Sequence, residues 1–335
     1  MPRLGSLVLI SVVVLLFTAA CQRRTARDGA AFFAGKTITY IVSTRAGGGY
    51  DMYARTIMRY MAPHIPGVRI VVVNAPGAAN IVGANQIYEA APDGLTMGTF
   101  TMGLMFSQLT AAPGVRFDLT KMSWIGKAAS EPRALAVGAK SGYTTLDDLR
   151  RSPKPVRLWT GPVGSPTYYS ARMLAEATGF PLEMVPGFEE DEGVLAALRG
   201  DLAGGLSSPT SVAPMLQQGL VRILMAVGRG PELAPTVVDA STVTTSTLGR
   251  DMMTFSALQS ELGRVTAAPP GVPADRLDVL RQAYMAAVTD PALHTELTTI
   301  GFPVDPLDGQ AVAMKVNQAL HPSADVLDWL RAAAR

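Results

Sequence analysis

An α/β fold with largely parallel sheets is what this 335-residue chain predicts, on three observations. Short apolar runs alternate with stretches of helical periodicity, each pair joined by a turn rich in Gly, Pro or Ser. The runs are almost entirely apolar, as in strands that helices cover on both faces. The alternation occurs once before residue 101 and again after residue 155, so two α/β units are present.

Residues 38–42 read as the first strand. Behind them Tyr53, Ile57, Tyr60 and Met61 share one helical face. Residues 68–73 form the second strand. A helix follows from Asn80 to about Ala91, closed by the turn Pro92-Asp93-Gly94, and residues 95–100 make a third strand. The second unit reads as strand 156–160, helix 168–178, strand 182–185, helix 193–199 and strand 222–227. From about Ala274 the chain is mostly helical, with Leu277, Leu280, Tyr284 and Val288 at helical spacing and Leu327, Trp329 and Leu330 near the end.

Charge is nearly balanced, with 29 Lys and Arg against 27 Asp and Glu. No basic block or aromatic-interleaved patch suits a nucleic acid, so none is expected as a partner. The sixteen methionines read as core filler.

At the N-terminus, Arg3 precedes an uninterrupted apolar run over residues 7–17, the pattern of a secretory signal. The run is shorter than the ~20 residues of a membrane span. Thr18-Ala19-Ala20-Cys21 follows and resembles the lipobox of bacterial lipoproteins, although Thr18 stands where Leu or Val is usual. That resemblance implies cleavage before Cys21, the only cysteine, and a lipid on its sulfur and amine. An ordinary signal peptide is the alternative. Gln22, in place of Asp, favours outer-membrane sorting by analogy. Residues 22–35, with Arg23, Arg24 and Arg27, read as a tether. The chain is thus expected to be exported, periplasmic and membrane-anchored. Its expected divisions are signal 1–20, tether 21–35, domain one 36–138 with 249–335, and domain two 139–248.

The loop Arg45-Ala46-Gly47-Gly48-Gly49-Tyr50-Asp51 joins the first strand to the first helix. Glycines let backbone N–H groups approach a ligand, and a helix N-terminus favours an anion. A dinucleotide site needs a later glycine and an acid closing the second strand. Here Tyr50 and Asp51 follow, and the strand ends at neutral Asn74, so no cofactor is expected. Asp51 has two readings, a ligand contact or an acid favoured by the helix dipole.

Taken together, Gly47-Gly48-x-x-Asp51-x-x-Ala54-Arg55, Asn74-x-Pro76-Gly77-Ala78 and Ala91-Pro92-Asp93-Gly94-x-Thr96 resemble the substrate-binding proteins of tripartite tricarboxylate transporters, the Bug family. Thr160-Gly161-x-x-Gly164-Ser165-Pro166-Thr167, Val185-Pro186 with Leu198-Arg199-Gly200-Asp201, and Ala268-Pro269-x-Gly271-x-Pro273 agree. The resemblance covers residue 37 to the C-terminus. It implies a monomeric, two-lobed clamshell of the periplasmic-binding-protein type, type II-like, that holds a small carboxylated solute and presents it to integral membrane subunits of the transporter. Carried over by position, the proximal site is Ala46, Gly47, Gly48, Asp51, Gly77, Ala78, Ala79 and Asn80. The distal site is Thr160, Gly161, Gly164, Ser165 and Thr167, with Ser207 and Ser208 after the strand ending near Leu206.

Three departures bear on the ligand. Ser43 replaces a usual proline. Arg45 is either a carboxylate fork or a solvated loop residue. After Val185-Pro186, Glu189-Glu190-Asp191-Glu192 removes a lysine and adds four acids, read as a solvated helix start; an acid facing the cleft would instead suit an amine. Trp159 reads as core packing rather than a stacking platform. His64, His294 and His321 lack ligand spacing and no catalytic motif is present, so neither a metal nor an enzyme is expected; Ser165 is read as a hydrogen-bonding group. A lipoprotein of this fold with a scaffolding or sensing role is the alternative.

Overall fold

The computed structural model describes residues 29–163 and 165–334. The expected signal segment, Cys21 and Gly164 lie outside them. No helix among the described residues is long and apolar enough to cross a membrane.

The first half runs β1 (Thr37–Val42), α1 (Gly49–Met61), β2 (Arg69–Asn74), α2 (Ile81–Tyr88), β3 (Thr96–Thr99), α3 (Leu104–Leu109), β4 (Ser123–Lys127), β5 (Arg133–Gly138) and α4 (Leu146–Arg150). Next come β6 (Val156–Trp159), α5 (Pro166–Thr178), β7 (Leu182–Val185), α6 (Glu190–Arg199), β8 (Gly204–Ser207), α7 (Pro209–Gln217) and β9 (Val221–Val227). The chain closes with α8 (Thr247–Glu261), β10 (Val265–Ala268), α9 (Ala274–Val288), α10 (Pro291–Thr299), β11 (Leu307–Asp308), α11 (Gly309–Ala319) and α12 (Ala324–Ala333).

Two sheets result, in the orders β11-β4-β10-β3-β1-β2 and β7-β6-β8-β5-β9. Both are mixed rather than mostly parallel. β1 pairs in parallel with β2 and β3, and β6 with β7 and β8, but β10 runs against β3 and β4, and β5 against β8 and β9. The reason lies in the crossings. In βα units the ligand crevice lies outside the carboxyl ends of the strands. β5 and β10 carry the chain into a lobe from that same cleft, so they start where the parallel strands finish. Arg133–Gly138 therefore belongs to the second sheet. The chain crosses between β4 and β5, ahead of the division expected after residue 138.

Helical periodicity places the first core. Tyr53, Ile57 and Met61 of α1 are buried, while Tyr60 sits at the margin and donates to Glu296 Oε2 at 3.1 Å. β2 is an edge strand and only half-buried, so its apolar run does not mark two covered faces. A second, larger core joins the lobes: Phe106 stacks on Tyr169 of α5 at 5.3 Å and meets Phe255 of α8 edge-on at 5.4 Å.

Candidate functional site

A cavity of about 300 Å³ lies where the cleft ends of the two sheets face each other. That is the lower end of the ~300–1,000 Å³ typical of small-molecule sites. Lobe one lines it with Asn80, Thr101 and Gly103; lobe two with Thr167, Ser170 and Leu206. Glu131, Arg133 and Gly263 come from the crossing segments, and α8 adds Ser256, Gln259 and Ser260.

Of the residues expected from sequence, Asn80 and Thr167 reach this lining. Asn80 ends a run of three non-glycine residues in the left-handed region, with φ of 44° at Ala78, 50° at Ala79 and 78° at Asn80. Each such residue costs ~1–2 kcal/mol, and strain of this kind collects at ligand sites. Asn80 Nδ2 donates to Thr101 Oγ1 at 3.2 Å, and its Oδ1 accepts from Ser43 at 3.5 Å. The run is thus tied to the ends of β1 and β3.

Across the cavity, Ser165 caps α5 by accepting the Tyr168 N–H, and Thr167 Oγ1 accepts the Gly161 N–H at 3.0 Å. The Ser165 and Thr167 hydroxyls lie 3.2 Å apart. Thr160 is buried, its hydroxyl donating to the Gly161 carbonyl. Ser207 is fully buried; the Ser208 N–H donates to Glu190 Oε1 at 2.8 Å and its hydroxyl meets Thr210.

Asp51 holds the proximal loops together. Its carboxylate accepts the Gly47 N–H at 2.9 Å, Arg55 Nε at 3.0 Å and Asn74 Nδ2 at 3.0 Å. Burial raises its pKa, but these hydrogen bonds and the Arg55 charge outweigh burial, so the carboxyl sits below its ordinary value. Its oxygens are committed to the protein, which makes Asp51 an organiser of loops one and two. Arg45, Ala46, Gly47 and Gly48 are exposed, as are Gly77, Ala78 and Ala79, and none lines the cavity.

The floor is an ion network that sequence reasoning missed. Arg133 lies between Glu131 at 2.9 Å and Glu190 at 3.2 Å. Glu131 also pairs with Arg264 at 3.0 Å and accepts the Tyr50 hydroxyl at 2.7 Å. Arg264 lies 3.9 Å from the centre of the Tyr50 ring, a cation–π contact. Burial raises the Glu131 pKa; Arg264 and Arg133 more than reverse this, and it stays a carboxylate. Glu190 thus belongs to the network and Glu189 to the lining, which corrects the reading of the acidic stretch as wholly solvated. No sequence pattern joins residues 131, 133, 190 and 264. The polar stripe Ser256, Gln259, Ser260, at helical spacing, was legible in principle.

This arrangement presents hydrogen-bonding groups around a charge-balanced floor. The Ser165 hydroxyl has Thr167 and a backbone N–H beside it, with no base, and the described residues hold no cluster of three His, Cys, Asp or Glu suited to a metal. Such a site can hold a solute by hydrogen bonds.

Comparison with known proteins agrees. The chain is 24% identical over 310 residues to the UPF0065 protein of the tcbD–tcbE intergenic region of Pseudomonas sp. strain P51, covering 90% of this chain and 87% of that one. It superposes with a TM-score of 0.70 on an unliganded TctC solute-binding protein from Polaromonas, at 20% identity, covering 89% of this chain and 97% of the other. For MatC of Rhodopseudomonas palustris with bound malate, the TM-score is 0.63 at 20% identity, covering 90% and 99%. These structures establish the two-lobed binding-protein fold. Residues 53–328 match the model of the tripartite tricarboxylate transporter family receptor, a family of solute receptors and not of enzymes. As the order of its glycine-rich loops implied, this chain belongs to the tripartite tricarboxylate transporter receptor family.

Proposed function

We propose that the protein is an extracytoplasmic receptor that closes on a small carboxylated solute and delivers it to the integral membrane subunits of a tripartite transporter. The observation that carries this reading is the convergence of Asn80, from the turn before α2, and Thr167, from the first turn of α5 in the opposite lobe, on one cavity. The malate in the MatC structure supports a carboxylate as ligand.

The strained run Ala78 to Asn80 and the cap of α5 present one anchoring group from each side of the cleft. A carboxylate held by such groups gains ~1.5–3 kcal/mol per charge-assisted hydrogen bond. Several together match the −8.2 kcal/mol of micromolar binding. Asp51 positions the proximal loop, and Ser165 and Gly161 hold Thr167 in place. Export and a lipid on Cys21 complete the reading by confining the receptor to a membrane surface.

Thermal unfolding of the signal-less chain against a panel of carboxylic acids tests it. A binding acid at 100 times its Kd is expected to stabilise by ~2.7 kcal/mol. Asn80→Ala and Thr167→Val are expected to weaken that effect. No stabilisation by any acid in the panel overturns the reading in favour of a scaffolding role.

A further inference from the structure

We infer that the inner end of the cavity reads an uncharged hydrogen-bonding group of the solute through Ser256, Gln259 and Ser260, and discriminates against a second carboxylate. This rests on the receptor reading above and narrows its ligand to monocarboxylates with an amide- or hydroxyl-like far end.

Three features point there. Spacings of three and four residues put Ser256, Gln259 and Ser260 on one face of α8, and all three line the cavity. Ser256 is only 3% exposed, and its hydroxyl has no hydrogen-bond partner among the described residues. Buried hydroxyls are ordinarily paired. Ser256 lines the cavity, so a rotation of its side chain brings the unpaired hydroxyl to a ligand atom. Gln259 beside it offers both a donor and an acceptor, as an amide or hydroxyl requires.

The third feature is charge. Among the described lining residues the charged ones are Glu131, Arg133 and Glu189. Arg133 is already held between Glu131 and Glu190, and Arg264 is spent on Glu131. Around the cavity two arginines therefore stand against three glutamates, and the described lining residues hold no unpaired cation for a second carboxylate. Like charges brought together repel. A neutral polar end avoids that repulsion and satisfies Ser256.

The test is calorimetric titration of the signal-less chain with matched pairs: succinate and succinamate, glutarate and glutaramate, adipate and adipamate. In each pair that binds, the monoamide is expected to bind roughly tenfold or more tightly, since one engaged neutral hydrogen bond and one avoided like-charge contact act together. Equal or tighter binding of the diacid overturns the inference, and so does tightest binding of the matching ω-amino acid. Ser256→Ala is expected to lower monoamide affinity roughly 3- to 10-fold while the melting temperature of the free protein holds or rises. Unchanged affinity removes α8 from recognition. Glu190→Gln partly frees Arg133 and is expected to narrow the gap between diacid and monoamide; an unchanged gap refutes the electrostatic argument. If no acid of any kind binds, the receptor reading itself fails and takes this inference with it.

Discussion

Gly103 of lobe one lies so close to Pro166 at the head of α5 that a β-carbon on the glycine would stand 2.2 Å from the proline Cγ. The loop after β3 therefore meets lobe two through a bare backbone, beside the cavity that both residues line. Gly103→Ala leaves each sheet intact but forces the two surfaces apart. Overpacking of this kind costs ~1–3 kcal/mol. It is expected to appear as a roughly tenfold or larger loss of solute affinity with the free protein still folded. Solution scattering in saturating ligand gives the check: a variant as compact as the parent would mean that the contact does not limit closure.

Asp51 gives a pH signature. Its folded-state pKa lies below the ordinary 3.8, so it contributes stability above that value and loses the contribution as pH falls through the lower, folded pKa. Asp51→Asn keeps the shape and removes the charge that binds Arg55 and the Gly47 N–H. At pH 7 a destabilisation of ~1–3 kcal/mol is expected. Denaturant midpoints measured from pH 7 downward should show the two proteins converging below about pH 4. A gap that stays constant to pH 2.5 would assign the effect to packing instead.

The elements legible in the sequence were those whose strand is followed by a covering helix, and the illegible ones were those that carry the chain between lobes. β6 and β7 fall where the apolar runs put them, because each belongs to a βα unit with its own periodic helix. β5 is followed only by the five-residue α4, and β10, although the periodic helix α9 comes after it, is a four-residue Val-Thr-Ala-Ala run; the pairing partners of both are distant in sequence. The strand expected to end near Leu206 is β8, although its composition argues against a strand. Gly204 and Gly205 have low strand propensity. They are required because β-carbons there would strike the Ala136 carbonyl at 2.1 Å and the Trp159 ring at 2.3 Å. The site divides in the same way. Asn80 and Thr167 sit in local loop motifs, whereas the network of Glu131, Arg133, Glu190 and Arg264 exists only once the chain has crossed twice.

That network has a measurable coupling. Arg264 is 14% and Glu131 15% exposed at the side chain, so removing one partner leaves the other buried. Breaking such a pair typically costs ~3–5 kcal/mol. Arg264→Met also gives up the contact with the Tyr50 ring. Arg264→Met and Glu131→Gln are each expected to destabilise by at least ~2 kcal/mol, and the double variant by much less than their sum. Additive losses in a double-mutant cycle would show that Arg133 alone suffices to neutralise Glu131.

Trp159 supplies the last case, in which two effects oppose and magnitude decides. The residue ends β6 one position before the distal loop, yet it is 2% exposed and lies between Gly193 of α6 and Gly205 of β8. A β-carbon on either glycine would stand 2.3 Å from the indole ring. Gly193 occupies the first turns of a helix, where alanine is intrinsically favoured by ~1 kcal/mol. If propensity governed, Gly193→Ala would stabilise the protein. The clash is larger, because the indole is enclosed and overpacking costs ~1–3 kcal/mol. A net destabilisation of ~1–2 kcal/mol is therefore expected, and Gly205→Ala, which has no helical gain to offset it, should cost more. Pairing Gly193→Ala with Trp159→Leu should restore the helical benefit, giving a double variant more stable than Trp159→Leu alone. If Gly193→Ala proves stabilising in the parent chain, Trp159 has room to move and its face toward the distal loop is open to a solute.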